Sequence, residues 1–129
     1  MILGIGTDLS DVKRLSGAIA RRGERLVRRV FTPGEIAYCK AARHPAVHFA
    51  ARFAAKEAVF KALGTGWGNG VRWRDVEVRV EESGRPRIHL KGEAKRRADS
   101  LGAGRVWVSL STERDQAVAV VILESVAGP

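Results

Sequence analysis

The chain has 129 residues, 45% of them apolar, which favours one folded domain over disorder. No apolar run approaches the ~20 residues of a membrane-spanning helix, and the N-terminus lacks a basic leader. Cys39 is the only cysteine, which excludes an internal disulfide and a cysteine zinc site. We therefore expect a cytoplasmic protein with no membrane segment.

The net charge of +9 arises from 23 Lys plus Arg against 14 Asp plus Glu. It predicts an anionic partner, which is nucleic acid, a phosphorylated small molecule or an acidic protein. The excess is strongest in residues 13–29, where Glu24 is the only acid. The basic residues there are Lys13, Arg14, Arg21, Arg22, Arg25, Arg28 and Arg29. A solvated helix face would carry the same charges, and the absence of an aromatic residue in this stretch disfavours nucleic acid.

The first half of the chain reads as one strand followed by helices. The apolar run Ile2–Gly6 predicts a buried strand whose C-terminal end presents Asp8. Ser10 or Asp11 is a suitable N-cap for a helix through the arginine-rich stretch, and residues 24–30 predict a second, short helix.

Two further helices are bounded by local signals. Thr32 as N-cap, Pro33 at the first helical position and Glu35 at the third form a capping box. That helix ends before Pro45, since proline disfavours a helical residue ahead of it. A long central helix then continues to about Leu63, where a glycine follows.

The second half alternates apolar and polar residues in the manner of strands. Its predicted elements are a strand at 76–81, a turn at 83–86, a strand at 88–90, a helix at 93–101 and strands at 106–110 and 117–123. The whole order indicates an α+β fold, a single domain over residues 1–129. We expect a mainly antiparallel sheet packed against the long central helix.

Glu57 and Lys61 lie one turn apart on the same face of the central helix, and Asp8 supplies a second carboxylate. Mg²⁺ is typically held by one or two carboxylates, waters and substrate phosphates. These three residues are therefore candidates for holding a metal ion and a diphosphate together. An exposed Glu-Lys pair that merely decorates a helix would show the same spacing. The three histidines lack the spacing of a zinc site.

The glycine-rich stretch 64–70 follows the central helix directly. It is not a P-loop, because no Gly-Lys-Ser/Thr follows, and it is not a dinucleotide fingerprint, because it follows a helix and not a strand. It predicts a helix cap and turn, or else a backbone approach to a phosphate.

Two motifs together resemble the signatures of the 4′-phosphopantetheinyl transferases. They are Gly4-Ile5-Gly6-Thr7-Asp8 with Arg14 six residues later, and Arg52-Phe53-Ala54-Ala55-Lys56-Glu57-Ala58-Val59-Phe60-Lys61-Ala62-Leu63-Gly64-Thr65-Gly66. The short length, Gly84-Arg85-Pro86 and residues 106–111 resemble the small holo-acyl-carrier-protein synthase branch. The similarity runs over essentially the whole chain.

The resemblance implies the corresponding fold and a Mg²⁺-dependent transfer of 4′-phosphopantetheine from coenzyme A to a serine of an acidic apo acyl carrier protein. The products would be holo carrier protein and 3′,5′-ADP, in fatty acid or polyketide synthesis. It also implies a homotrimer with active sites between subunits. Neither nucleic acid nor a membrane is an expected partner.

The resemblance assigns roles to individual residues. Asp8 and Glu57 would bind the metal, and Lys61 would bind the diphosphate. Glu57 would act as the base, directly or through a metal-bound water. The positions expected near coenzyme A are Arg52, Lys61, Gly64, Gly66, Gly84 and Pro86. The carrier protein is expected to contact Arg14, with Arg21, Arg22 and Arg25 as its basic neighbours.

The chain departs from the family pattern at two positions. Thr112 stands where several relatives carry a histidine, and Gln116 stands where an aromatic residue is frequent. These departures concern nucleotide binding and leave the metal site untouched. Two alternatives stay open: a basic binding module for RNA or an acidic protein, and a relative that binds coenzyme A without turnover.

Overall fold

The computed structural model describes residues 1–66 and 68–126, and Trp67 of the predicted glycine-rich loop lies outside the described residues. The fold is α+β, as predicted. Its helices are α1 (Val12–Arg22), α2 (Glu24–Val30), α3 (Pro33–Ala41), α4 (Pro45–Leu63) and α5 (Gly92–Leu101), with a 3₁₀ turn at Trp73–Asp75. Its strands are β1 (Ile2–Asp11), β2 (Val76–Val80), β3 (Pro86–Leu90), β4 (Ala103–Glu113) and β5 (Gln116–Ser125).

The strands form two antiparallel groups. In one sheet β5 lies between β1 and β4, and in the other β2 pairs with β3 as the predicted hairpin. The continuous apolar run of β5 is explained by its central place, because both of its edges and its inner face are covered. The antiparallel prediction and the central position of β5 are both confirmed.

The predicted end of the first strand is wrong. The strand was expected to end at Asp8, but β1 continues to Asp11. Asp8 pairs with Ala119 inside the ladder, and Asp11 still pairs with Gln116. Pairing with β5, 105 or more residues away in sequence, extends the strand past the polar residues at which the local pattern stops.

The helix boundaries follow the local capping signals. The Asp11 side chain accepts a hydrogen bond from the Arg14 N–H at 2.9 Å and begins α1. Thr32 and Glu35 form the predicted capping box of α3. Gly64 ends α4 in the left-handed conformation, with φ of 76°. Each of these signals is local, so the sequence alone was sufficient to place them.

The inner face of the three-stranded sheet packs on α4, which is buried along most of its length. The aromatic residues Phe60 and Trp73 extend this core toward the hairpin. Within the described residues, the helices are either too short or too polar to cross a membrane.

Candidate active site

Two glycines of β1 bring the strand against the backbone of α4. Gly4, Gly6 and Asp8 alternate along β1 and therefore share one face. A Cβ atom at Gly4 would collide with the Ala62 carbonyl oxygen, and one at Gly6 with the Ala58 carbonyl oxygen. Because the strand lies this close, the next residue on that face, Asp8, reaches the polar side of α4.

Asp8, Glu57 and Lys61 meet at this contact. The Lys61 ammonium donates to Asp8 Oδ1 at 3.0 Å and to the Thr7 carbonyl oxygen at 3.0 Å. The Asp8 side chain is 11% exposed and that of Lys61 is 53% exposed. Glu57 lines the same cavity as Asp8, and the two carboxyl groups influence each other electrostatically. The fold thus brings Asp8 to Glu57 and Lys61, which lie 49 and 53 residues further along the chain.

The electrostatics of this group are unbalanced. Burial raises the pKa of the Glu57 carboxyl above its ordinary value, and the neighbouring Asp8 raises it further. The Lys61 ammonium opposes this shift only in part. Two adjacent carboxyl groups with one partly exposed cation favour the arrival of further positive charge.

A cavity of about 560 Å³ opens beside the two carboxylates. Asp8, Glu57 and Arg14 all line it, so the predicted carrier contact stands at the predicted metal site. Phe53 and Gln116 also line the cavity. The sequence analysis named Gln116 only as a departure that concerns nucleotide binding and did not name Phe53 as a site residue. Their places in this cavity depend on how α4 and β5 pack beside α1.

The donor set suits a magnesium ion. Mg²⁺ is typically bound by one or two protein carboxylates, and substrate phosphates and waters supply its other ligands. Two carboxylates that face one cavity fit this pattern. Among the described residues there is no group of three or more His, Cys, Asp or Glu that would form an all-protein cage. Asp8 and Glu57 are therefore the residues that would hold the ion.

Arg52 lies elsewhere. It is five residues before Glu57, about 140° around the helix, and only 4% exposed. Its guanidinium stacks over the Tyr38 ring at 4.3 Å, and its Nε has no hydrogen-bond partner among the described residues. Arg52 does not line the cavity beside Asp8. Its contact with coenzyme A stays a prediction.

The predicted loop residues also lie apart from the carboxylates. Gly64 and Gly66 donate their N–H groups to carbonyls of the last turn of α4, so these amides close the helix. Gly84 lies in the β2–β3 turn, and Pro86 lines a separate cavity of about 460 Å³ between the hairpin and β4. Trp107 of β4 borders that cavity, with the Arg85 guanidinium 5.4 Å from its ring.

The basic residues of α1 and α2 are exposed. Arg22 and Arg25 line a shallow hollow of about 670 Å³ beyond the end of α1, away from Asp8. Arg21 is exposed and basic in the last turn of α1. Only Arg14 of the four predicted carrier contacts reaches the cavity beside Asp8.

A buried ion pair holds the segment of α4 that carries Glu57. Lys56 and Glu35 are fully buried, and Lys56 Nζ lies 2.8 Å from Glu35 Oε1. Lys56 also donates to the carbonyl oxygens of Trp73 and Val76, and Glu35 accepts from the Val78 N–H at 2.8 Å. The pair ties α3, α4 and β2 together one residue before Glu57. The capping box identified Glu35, but no local signal pointed to Lys56 as its partner.

Comparisons with known proteins agree with this geometry. The sequence profile of the 4′-phosphopantetheinyl transferase superfamily matches residues 4–121. The chain is 45% identical over 125 residues to the holo-[acyl-carrier-protein] synthase of Solibacter usitatus, a match that covers 97% of this chain and 100% of the relative.

Solved structures give the same result. The crystal structure of the Neisseria meningitidis holo-[acyl-carrier-protein] synthase is similar with a TM-score of 0.88 and 36% identity, covering 97% of this chain and 100% of that one. The Helicobacter pylori enzyme in complex with coenzyme A is similar with a TM-score of 0.82 and 28% identity, covering 93% and 99%. The chain belongs to the 4′-phosphopantetheinyl transferase superfamily.

Proposed function

We propose that the chain is a holo-acyl-carrier-protein synthase. It transfers 4′-phosphopantetheine from coenzyme A to a serine of an apo acyl carrier protein, requires Mg²⁺ and releases 3′,5′-ADP. The observation that carries the proposal is the meeting of Asp8, Glu57 and Lys61 beside a cavity that Arg14 also lines. Full-length similarity to a relative named holo-[acyl-carrier-protein] synthase supports it.

The reaction is a phosphoryl transfer. The serine Oγ bonds to the phosphorus that carries the pantetheine arm, while the bond from that phosphorus to the bridging oxygen of the diphosphate breaks. 3′,5′-ADP departs with that electron pair, and the serine proton passes to a base. A bound Mg²⁺ would supply positive charge to the diphosphate as negative charge develops on the departing group.

Glu57 is the base in this proposal. It accepts the proton directly or through a metal-bound water, and it faces the cavity in which the serine would lie. Lys61 is half exposed beside the two carboxylates, and its ammonium would donate a charge-assisted hydrogen bond to a phosphate oxygen of the diphosphate.

Substrate binding is divided between two surfaces. Coenzyme A is assigned to Lys61 with Arg52, Gly64, Gly66, Gly84 and Pro86, and the H. pylori relative was solved with that ligand. The carrier protein is assigned to Arg14 and the basic residues Arg21, Arg22 and Arg25, whose charge would attract an acidic protein.

We further propose a cytoplasmic homotrimer with active sites between subunits, in fatty acid or polyketide synthesis. The outer face of the three-stranded sheet supports self-association, because it exposes large apolar side chains. These are Ile5 at 61%, Leu9 at 65%, Trp107 at 41% and Val120 at 39% exposure.

The test is a mass measurement. The protein is incubated with coenzyme A, Mg²⁺ and an apo acyl carrier protein, and the carrier is then weighed. We expect the addition of one phosphopantetheine group, and no addition when a chelator is present. A carrier of unchanged mass despite coenzyme A binding would favour a non-catalytic relative, and the absence of both would favour a basic binding module.

A further inference from the structure

A second basic groove lies beside α2 and shares Arg28 and Arg29 with the hollow that Arg22 and Arg25 border. It is a cavity of about 670 Å³ between α2, the 3₁₀ turn and the start of α5. Its cationic side chains are all exposed to solvent. They are Arg28, Arg29, Arg72, Arg74 and Lys91.

The charge of this groove is not neutralised within the chain. Within the part of the chain that the structure describes, Asp75 is the one acidic residue of the lining, but it is only 7% exposed and accepts a hydrogen bond from the Arg72 N–H at 3.1 Å. Its carboxylate is thus turned into the fold. Within residues 1–66 and 68–126, none of the five cations has a carboxylate within ion-pair distance. A concave surface of one charge sign attracts an anionic partner.

The groove is continuous with the basic surface of α1. Arg28 and Arg29 line both this groove and the hollow that Arg22 and Arg25 border. The two cavities therefore form one basic strip, from the end of α1 across α2 to Lys91. Arg14, at the other end of α1, lines the cavity of the catalytic carboxylates.

The form of the strip favours a protein surface over a small anion or nucleic acid. Every cation on it is exposed, so it lacks the enclosed donors of a compact phosphate site. Among the described residues of the lining, Trp73 is the only aromatic one, and its ring is already stacked on Phe53 at 5.1 Å and 23°. A base would need an open ring face to stack on. An acidic protein face needs neither feature.

We propose that the docking surface for the acidic carrier protein extends past α1 and α2 to Arg72, Arg74 and Lys91. This inference rests on the proposed function, which supplies the protein substrate. The 3₁₀ turn and the start of α5 then hold a second part of the carrier, while its serine lies in the cavity at Asp8. These residues fix the orientation of the carrier and take no part in the chemistry.

The test is a charge reversal at the far end of the strip. Arg72→Glu/Arg74→Glu is compared with wild type for the KM of the apo carrier, the KM of coenzyme A and kcat. We expect the carrier KM to rise about tenfold, with kcat and the coenzyme A KM unchanged, because the reversed groups lie outside the catalytic cavity. The difference should shrink as salt is added.

The control is Arg96→Glu, an exposed position on α5 whose present partner is Glu93. It changes the net charge by the same amount as Arg72→Glu or Arg74→Glu alone. We expect no change in the carrier KM. A carrier KM in Arg72→Glu/Arg74→Glu equal to that of wild type would overturn the inference. Binding of inorganic triphosphate is measured for the wild type and for Arg72→Glu/Arg74→Glu. If the double variant loses triphosphate binding but keeps the wild-type carrier KM, the groove is a small-anion site and the inference is wrong.

Failure of the proposed function is recognised separately. If the wild-type protein transfers no group to any apo carrier, the proposed reaction is wrong. The docking inference is then decided by the Kd of the apo carrier without coenzyme A. A Kd about tenfold weaker in Arg72→Glu/Arg74→Glu supports it, and equal values for the two proteins contradict it.

Discussion

Asp8 is the residue at which the strand, the helix and the proposed metal meet. We expect Asp8→Asn to lower the transfer rate by at least about 100-fold, because a neutral amide neither holds Mg²⁺ nor pairs with Lys61. The fold should survive, since the amide occupies the same space and also relieves the repulsion on Glu57. Transfer kinetics and thermal unfolding of the same sample measure the two effects.

Asp115→Asn is the matched control for this change. Asp115 is also an acid paired with a lysine, at 3.4 Å from Lys13, but it is 52% exposed and lies on the surface. We expect wild-type transfer from this variant. If Asp8→Asn were as active as Asp115→Asn, the assignment of the metal to Asp8 would be wrong.

The buried pair of Glu35 and Lys56 makes the second prediction at residue scale. Glu35→Gln leaves the Lys56 ammonium buried without a counter-charge, and we expect a loss of about 3–5 kcal/mol in the free energy of unfolding at pH 7. Glu24→Gln breaks an exposed pair with Lys40 at 3.0 Å and should cost under about 1 kcal/mol. Denaturant unfolding of both variants measures the difference.

The deficit of Glu35→Gln should depend on pH in a defined direction. Burial lowers the pKa of Lys56, and removal of Glu35, which raises it, lowers that pKa further. The unfolded variant then holds the lysine proton more tightly than the folded one, so the free energy of unfolding rises with pH toward the ordinary lysine pKa of about 10.4. A deficit that stays constant or grows between pH 7 and 10 would contradict this account.

The contact between β1 and α4 decides the packing at the scale of elements. Gly6→Ala places a Cβ against the Ala58 carbonyl oxygen, and we expect a loss of about 3 kcal/mol or more, because neither backbone has room to move. Gly17→Ala in the middle of α1 meets only the end of the flexible Arg21 side chain, at 3.3 Å. It should gain up to about 1 kcal/mol from helix propensity. Urea unfolding compares the two, and equal stabilities would refute the close approach.

The elements divide into those that local chemistry determines and those that depend on distant partners. The start of α3 and the end of α4 were predicted because Thr32, Pro33 and Gly64 each act on the backbone of the adjacent helical turn. The end of β1 was not, because the ladder with β5 carries it past Asp8. A strand pattern read over a few residues contains no information on the length of its partner.

The candidate site divides in the same way. Asp8, Glu57 and Lys61 stand in recognisable motifs, and the structure brings them together. Gln116 enters the cavity only through the register of β5 against β1, which places it opposite Asp11. The pairing of Lys56 with Glu35 likewise depends on how α3 packs on α4. These relations become visible only with the tertiary fold.

At the scale of the whole molecule, the basic strip and the exposed apolar side chains of the sheet lie on different elements. The strip runs over α1, α2 and the 3₁₀ turn, while the outer face of the three-stranded sheet exposes large apolar side chains together with Arg105. Ile5 and Trp107 are aligned across β5 through Ile122, and Leu9 lies opposite Val118. This separation allows one face to bind copies of the chain and the other to bind an acidic substrate.

Ile5→Glu tests the apolar face. A charge at the centre of a self-associating face is desolvated without a partner. If the wild type has the proposed mass of three chains, we expect the variant to have the mass of one. Transfer should fall with it, because the proposed active sites lie between subunits, while the far-ultraviolet spectrum stays that of the folded chain. Light scattering coupled to size exclusion, with the transfer assay on each peak, measures both.

Leu101→Glu is the control, since Leu101 is a 43% exposed apolar residue on α5 and not on the sheet. It should keep the wild-type mass and rate. A wild type that elutes with the mass of one chain and still transfers the group would show that the active site is complete within a single copy. The cavity beside Asp8 would then contain every protein group that the reaction needs, and the apolar face would need another occupant.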